Sequence, residues 1–176
     1  MENFTIKEYT KEYREMIIEL ILNIQQKEFN IPIKKEDQPD LSDILNFYQT
    51  GNGNFGIALH KDCVIGTIGL IDIGNKQAAL RKMFVKAAYR GSNYSVAKSL
   101  LKTAITWAGQ HNTYELYLGT TEKFLAAHRF YEKNNFIQIT KDRLPKNFSL
   151  MKVDTKFYCL ACPDEKSVLP QAIKKI

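Results

Sequence analysis

The fold is decided by residues 79–101, ALRKMFVKAAYRGSNYSVAKSLL. Its first part, ALRKMFV, is a strand-forming run. Its last part opens a segment in which Ala97, Leu100, Leu101, Ala104, Ile105 and Ala108 fall on one helical stripe. Between them lies the turn Arg90-Gly91-Ser92-Asn93-Tyr94-Ser95. A strand that runs through a turn into a helix leaves backbone N–H groups free at the helix start. With the helix dipole, these make an anion site. Such a loop favours glycine, because a side chain blocks the anion or forbids a positive φ. Asn93 and Ser95 stand where the smallest residue is expected; Asn tolerates the left-handed region and Ser is small and donates a hydrogen bond. The competing reading is a plain helix cap made by Ser92 or Asn93.

Downstream, ELYLGT (115–120) is a short apolar strand. Strand, helix and strand therefore form a crossover, which makes strands 79–85 and 115–120 parallel. Upstream, residues 3–9 alternate like a strand. From Tyr13, the positions Tyr13, Ile17, Leu20, Ile21 and Ile24 predict a helix. A polar loop between Pro32 and Pro39 leads to a short helix at 41–48. Strands follow at 51–59 and 64–74, with a tight turn at 60–63, and the strand at 77–85 comes next. Past residue 120, FLAAHRFYEKN predicts a helix, FIQIT a strand and residues 149–161 a further strand. The pattern predicts one domain over 1–176, of α/β (α+β) class: a mixed, mostly antiparallel sheet with helices on both faces.

A 176-residue chain with 44% hydrophobic and 25% charged residues buries a core without disulfides. Cys63, Cys159 and Cys162 are an odd set. The pair Cys159-Leu-Ala-Cys162 has no second pair or histidine cluster to complete a zinc site, so no metal is expected. No apolar run reaches the ~20 residues of a membrane span, and MENFTIKEY lacks signal-peptide order. Cytoplasmic location and no membrane partner are the expectations. The net charge of +6 favours an anionic partner, but the basic residues are dispersed, which argues against nucleic acid and for a phosphorylated cofactor.

The segments LRKMFVKAAYRGSNYSVAKSLL and YLGTTEKFLAAHRFYEKNNF resemble, in order and spacing, the GNAT superfamily of acetyl-CoA-dependent N-acetyltransferases. The likeness is close over 79–137. NFYQTGNGNF, ALRKMFV and LPKNFSLMKVDTKFY extend it over most of the chain, toward a bacterial subgroup marked by GTTEKF-x-AAHRFYEK. The resemblance implies a GNAT-like sheet with a splayed central strand pair, and acetyl-CoA as cosubstrate. It also implies that Arg90 opens a pattern whose two glycines fall on Asn93 and Ser95. Backbone amides from Gly91 through Ser92, Asn93, Tyr94 and Ser95 would then hold the coenzyme A pyrophosphate. Met83, Phe84 and Val85 would pair with the pantetheine arm, with a backbone N–H near Phe84 or Val85 polarising the thioester carbonyl. Ala127 would be the small residue of the last helix, three positions after Phe124, where members often carry Asn.

By the same resemblance Tyr131 would protonate the departing thiolate. Its place on the apolar stripe, four residues after Ala127, equally fits a core tyrosine. The strand position where many members carry a glutamate base is Ala79. The base is then Asp72, Glu122 or His128, or the proton leaves to solvent. Each candidate has an alternative: Asp72 caps the turn at Gly74-Asn75, Glu122 suits a helix dipole, and His128 is exposed. Glu36, Asp37, Asp40 and Asp43 either attract a cationic amine or form a solvated loop with Asp40 or Ser42 as a cap. No cysteine stands at a nucleophile position, so direct attack in a ternary complex is expected. The acceptor would be a primary amine of a small molecule or peptide. Exposed C-terminal strands point to a homodimer. The alternative function is a catalytically weak acyl-CoA-binding module acting as a sensor or interaction domain.

Overall fold

The computed structural model describes residues 4–91 and 95–162. Seven strands form one sheet: β1 (Thr5–Glu8), β2 (Asn54–His60), β3 (Cys63–Gly74), β4 (Gln77–Val85), β5 (Glu115–Thr120), β6 (Ile137–Ile139) and β7 (Lys156–Ala161). Their spatial order is β1-β2-β3-β4-β5-β7-β6. Every neighbouring pair is antiparallel except β4 and β5, which are parallel. That exception is what the intervening helix α4 (Val96–Gln110) dictates, because a parallel return needs a crossover.

Alternation along the strands divides the core into two layers. Phe55, Ile57 and Leu59 of β2 face α1 (Arg14–Leu22), α2 (Pro39–Ser42) and α3 (Ile44–Tyr48), and pack with Ile17, Ile21, Leu41, Ile44 and Tyr48. On the other side Ala58, Ile65 and Leu80 pack with Leu100, Leu101, Ala104 and Ala108 of α4 and Tyr131 of α5 (Leu125–Lys133). Leu100 and Ile17 are fully buried, each stabilising the fold by roughly 1.5–3 kcal/mol.

Two departures from regular geometry shape the site. α1 runs on into a π-helical turn over Asn23–Glu28, which carries Gln25 and Glu28 toward the sheet. β4 bulges where Thr67 faces Phe84 but Gly69 faces Arg81. Lys82 takes φ +51° there, and its carbonyl accepts from Thr67 Oγ1 at 2.6 Å.

The strand expected at 149–161 is corrected: only Lys156–Ala161 pairs in the sheet. Residues 151–154 form a turn, in which the Met151 amide donates to Asp154 Oδ2 and the Asp154 amide donates to the Met151 carbonyl. The acidic group 36–43 is also corrected. Asp37 accepts from the Lys34 amide, Asp43 caps α3 through the Asn46 amide, and Asp40 is buried. Glu36, Asp37 and Asp43 are exposed, as in the solvated-loop reading, but Asp43 does the capping expected of Asp40 or Ser42.

Candidate active site

β4 and β5 pair only over Gln77–Glu115, Ala78–Leu116 and Ala79–Tyr117. Beyond Ala79 the two strands part, and residues 80–85 face an opening. The β4 bulge begins in the same stretch, so the strand is bent away from its parallel neighbour where the gap starts.

Two adjoining cavities occupy this opening. One is lined by Met83, Phe84 and Val85 of β4, by Arg90 and Gly91, and by Ala97 of α4. The other is lined by Arg81 and Lys82, by Gly119 and Thr120 of β5, and by Phe148 and Asp154 from the segment ahead of β7. Met83, Phe84, Phe124, Ala127 and Tyr131 line both. A molecule reaching from one cavity to the other therefore passes the Tyr131 side chain.

The free edge of β4 can be read from strand alternation. The Lys86 amide donates to the Ile65 carbonyl of β3 at 2.8 Å, so Val85, one residue earlier, directs its N–H toward the opening. The Val85 carbonyl, on the same edge, accepts from Arg90 Nε at 2.7 Å. Arg90 also forms a two-point ion pair with Glu28, and its guanidinium lies 6.0 Å from the Phe29 ring centre. The π-helical turn is thus tied to the end of β4 and the start of the loop.

At that loop, Gly91 has φ +95° and Ser95 has φ +56°, both in the left-handed region. Ser95 is the residue ahead of α4, and its amide donates back to the Gly91 carbonyl at 3.3 Å. The glycine preference at its position has a backbone cause: a Cβ in this conformation costs about 1–2 kcal/mol. Ser92, Asn93 and Tyr94 lie outside the described residues.

Tyr131 is buried, with its ring 5.3 Å from Phe136 and 6.0 Å from Tyr158. Burial pushes its hydroxyl well above the ordinary tyrosine range, with a smaller contribution from Tyr158, so the group stays protonated at neutral pH. It is both a core tyrosine and a wall of the two cavities, so the two sequence readings are not exclusive. Phe124 meets Phe29 and Phe84 edge to face, at 4.7 and 6.1 Å, closing the region with aromatic surface.

The three candidate bases are not brought to this place. Asp72 pairs with Ala78, where β4 is still paired with β5. Its Oδ2 accepts from the Asn52 amide and its Oδ1 from the Gly74 amide, and it lines neither cavity. Its turn-capping alternative is the geometry found. Glu122 is exposed, with its amide donating to Thr155 Oγ1. His128 is buried, not exposed, and its Nε2 is 3.0 Å from the Thr121 carbonyl. Ala79 is buried and pairs with Tyr117.

Sequence reasoning named Asp40 only within the acidic group and missed its partners beneath the second cavity. Lys82 Nζ lies 2.5 Å from Gln38 Oε1 and 3.4 Å from Asp40 Oδ2; Tyr48 donates to the same Asp40 oxygen at 2.5 Å. Gln25 and Gln38 exchange amide hydrogen bonds at 2.9 and 3.2 Å. Burial lowers the Lys82 ammonium against the pull of Asp40 and raises the Tyr48 hydroxyl well above its usual range. Asp154 was missed as well. Burial raises its carboxyl, against the Met151 amide and the charges of Arg81 and Lys82.

A parted parallel strand pair, a left-handed turn ahead of α4 and a buried tyrosine between two cavities meet at the opening beside β4. The sequence pattern of the Acetyltransferase (GNAT) family matches residues 18–136, and the chain belongs to that family. A solved GNAT-family acetyltransferase from Staphylococcus aureus Mu50 is 41% identical, with a TM-score of 0.88 over 92% of this chain and 100% of that one. The PaiA N-acetyltransferase of Thermoplasma acidophilum, solved with coenzyme A, shares the fold with 19% identity and a TM-score of 0.71 over 90% of this chain and 99% of that one. The N-acetylaspartate synthetase of Xenopus tropicalis is 33% identical over 101 residues, 55% of this chain and 36% of that protein. The chain thus spans about a third of that curated relative. Among the described residues no helix is long and apolar enough to cross a membrane, and no group of His, Cys, Asp or Glu could hold a metal ion.

Proposed function

We propose that this chain, read as one GNAT domain, transfers an acetyl group from acetyl-CoA to a primary amine of a small molecule or peptide. The amine attacks the thioester directly in a ternary complex. The observation that carries the proposal is the parting of β4 from β5 beyond Ala79–Tyr117, with Tyr131 lining both cavities in the gap.

In this reading the cavity of Met83, Phe84 and Val85 takes the thioester arm and the other cavity takes the amine. The loop from Gly91 through Ser92, Asn93, Tyr94 and Ser95 holds the pyrophosphate through backbone amides. Arg90, already bound to Glu28 and to the Val85 carbonyl, positions the loop, and Ala127 leaves room for the arm beside α5. The Val85 N–H donates to the thioester oxygen as negative charge develops there. When the tetrahedral adduct collapses, the Tyr131 hydroxyl gives its proton to the departing thiolate.

The GTTEKFLAAHRFYEK stretch, in which Phe124, Ala127 and Tyr131 all face the opening, supports the assignment to a bacterial GNAT subgroup. Free thiols at Cys63, Cys159 and Cys162 fit the cytoplasm.

The test is thermal unfolding with and without acetyl-CoA. At about 100 times its dissociation constant the ligand adds roughly 2.7 kcal/mol, visible as a raised midpoint. Binding without acetyl transfer to any primary amine screened would favour the acyl-CoA-binding module. No shift at millimolar ligand would remove both readings.

A further inference from the structure

The family position for a glutamate base is Ala79, and the three acid–base candidates named from sequence lie outside the cavities. The amine side of the gap nevertheless contains one carboxylate among its described lining residues, Asp154. The turn 151–154 folds this side chain back onto β5. A Cβ on Gly119 would collide with Asp154 Oδ2, so glycine at 119 is what lets the carboxylate lie against the strand. Gly119 is two residues beyond Tyr117, where β5 has already left β4. The carboxylate therefore enters the cleft where the strands are apart, in the cavity that Tyr131 also lines.

We propose that Asp154 receives the acceptor's ammonium group and removes its proton before attack. The inference rests on the reading of the chain as an acetyltransferase and adds the residue that reading lacks. The charged and titratable groups around Asp154 are Arg81 and Lys82 of β4 and Tyr131 of α5. Lys82 is held by Gln38 and Asp40, and Arg81 donates to the Ser149 carbonyl. Among the described residues, Asp154 accepts one hydrogen bond, from the Met151 amide to Oδ2. Its partial burial raises its proton affinity, which is the direction a base needs to hold a proton taken from an amine.

The proton balance closes. Asp154 takes one proton from R–NH3+, and the freed nitrogen lone pair bonds to the thioester carbon while the carbonyl pair moves to oxygen. Collapse reforms the carbonyl and breaks the C–S bond, with the electron pair leaving on sulfur. Tyr131 protonates that sulfur, and its oxygen takes the remaining proton from the adduct nitrogen. Asp154 releases its proton to solvent, so each turnover yields the amide, the thiol and one free proton.

The test compares ethylamine, which is protonated at neutral pH, with hydroxylamine, which is not. Acetyl-CoA turnover by each is followed for the wild type and for Asp154→Asn, which keeps an oxygen for the Met151 amide. Loss of a general base lowers turnover by about 10²–10⁴-fold. A fall of that size with ethylamine, and only a few-fold with hydroxylamine, is expected. The ascending limb set by Asp154 in the ethylamine pH profile should also give way, in the variant, to one that follows the free amine in solution. Equal falls with both amines, or no fall, would overturn the proposal, as would a wild type that binds acetyl-CoA and acetylates hydroxylamine alone. Failure of acetyl-CoA to raise the wild-type unfolding midpoint would instead sink the acetyltransferase reading beneath it.

Discussion

Lys82 Nζ and Asp40 Oδ2 lie 3.4 Å apart beneath the amine-side cavity, with their side chains only 5% and 9% exposed. The pair joins the β4 bulge to α2, so it fixes one wall of the cleft to the helical layer. Removing one partner leaves the other buried and uncompensated, which typically costs about 3–5 kcal/mol. Asp40→Ala should lower stability by that amount in urea unfolding. Replacing both, Asp40→Leu with Lys82→Met, should recover part of the loss, because the buried Tyr48 hydroxyl still lacks its Asp40 acceptor. A double variant as unstable as the single one would show that the pair is not the source.

Tyr131→Phe separates packing from chemistry. The ring contacts to Phe136 and Tyr158 survive the change, so the unfolding midpoint and the acetyl-CoA shift should stay near those of the wild type. Turnover should fall about 10²–10⁴-fold, the usual size of a lost general acid. Because burial holds the hydroxyl protonated, no descending limb from this group should appear in the wild-type pH profile near neutrality. Unchanged turnover would make Tyr131 a core residue alone.

Ser95 gives a backbone test of the loop. Its φ of +56° strains any side chain and most of all a β-branched one. Ser95→Gly should change stability by no more than about 1 kcal/mol, since relief of strain is offset by greater freedom of the unfolded chain. It should also tighten acetyl-CoA binding, measured by calorimetry. Ser95→Val should lower stability by more than about 1 kcal/mol, and a Ser95→Val variant as stable as the wild type would contradict the left-handed assignment.

Much of the fold is legible in the sequence because its signals are periodic. The apolar stripe of α4, the alternation in β2 and β3 and the crossover rule place the parallel pair without reference to any relative. The parting of that pair comes from resemblance alone, since nothing in ALRKMFV marks Lys82 as the point where the strand bulges. Asp154 is hidden by a wrong strand boundary: SLMKVDTKFYCLA reads as one strand, which dissolves the turn that aims the carboxylate. The charged residues Lys152 and Asp154 interrupt its apolar run and are the available signal. Lys82 and Asp40 are 42 positions apart in sequence, and no local pattern reveals that they meet.

The stability of Asp154→Asn should depend on pH in a direction that separates it from a merely structural change. Burial raises the carboxyl of Asp154 in the folded protein, overcoming the Met151 amide and the charges of Arg81 and Lys82. Between the unfolded value and this raised folded value, the folded protein binds the proton more tightly than the unfolded chain does. Stability from this group is thus fully present below the unfolded value, and it is lost as pH rises through the folded value. Asparagine does not ionise. Asp154→Asn should therefore match the wild type at acid pH and exceed it at neutral pH, a gain in unfolding midpoint alongside a loss of turnover. Midpoints measured at several pH values decide the point, and a variant less stable than the wild type at neutral pH would mean that the carboxylate is held there by its basic neighbours.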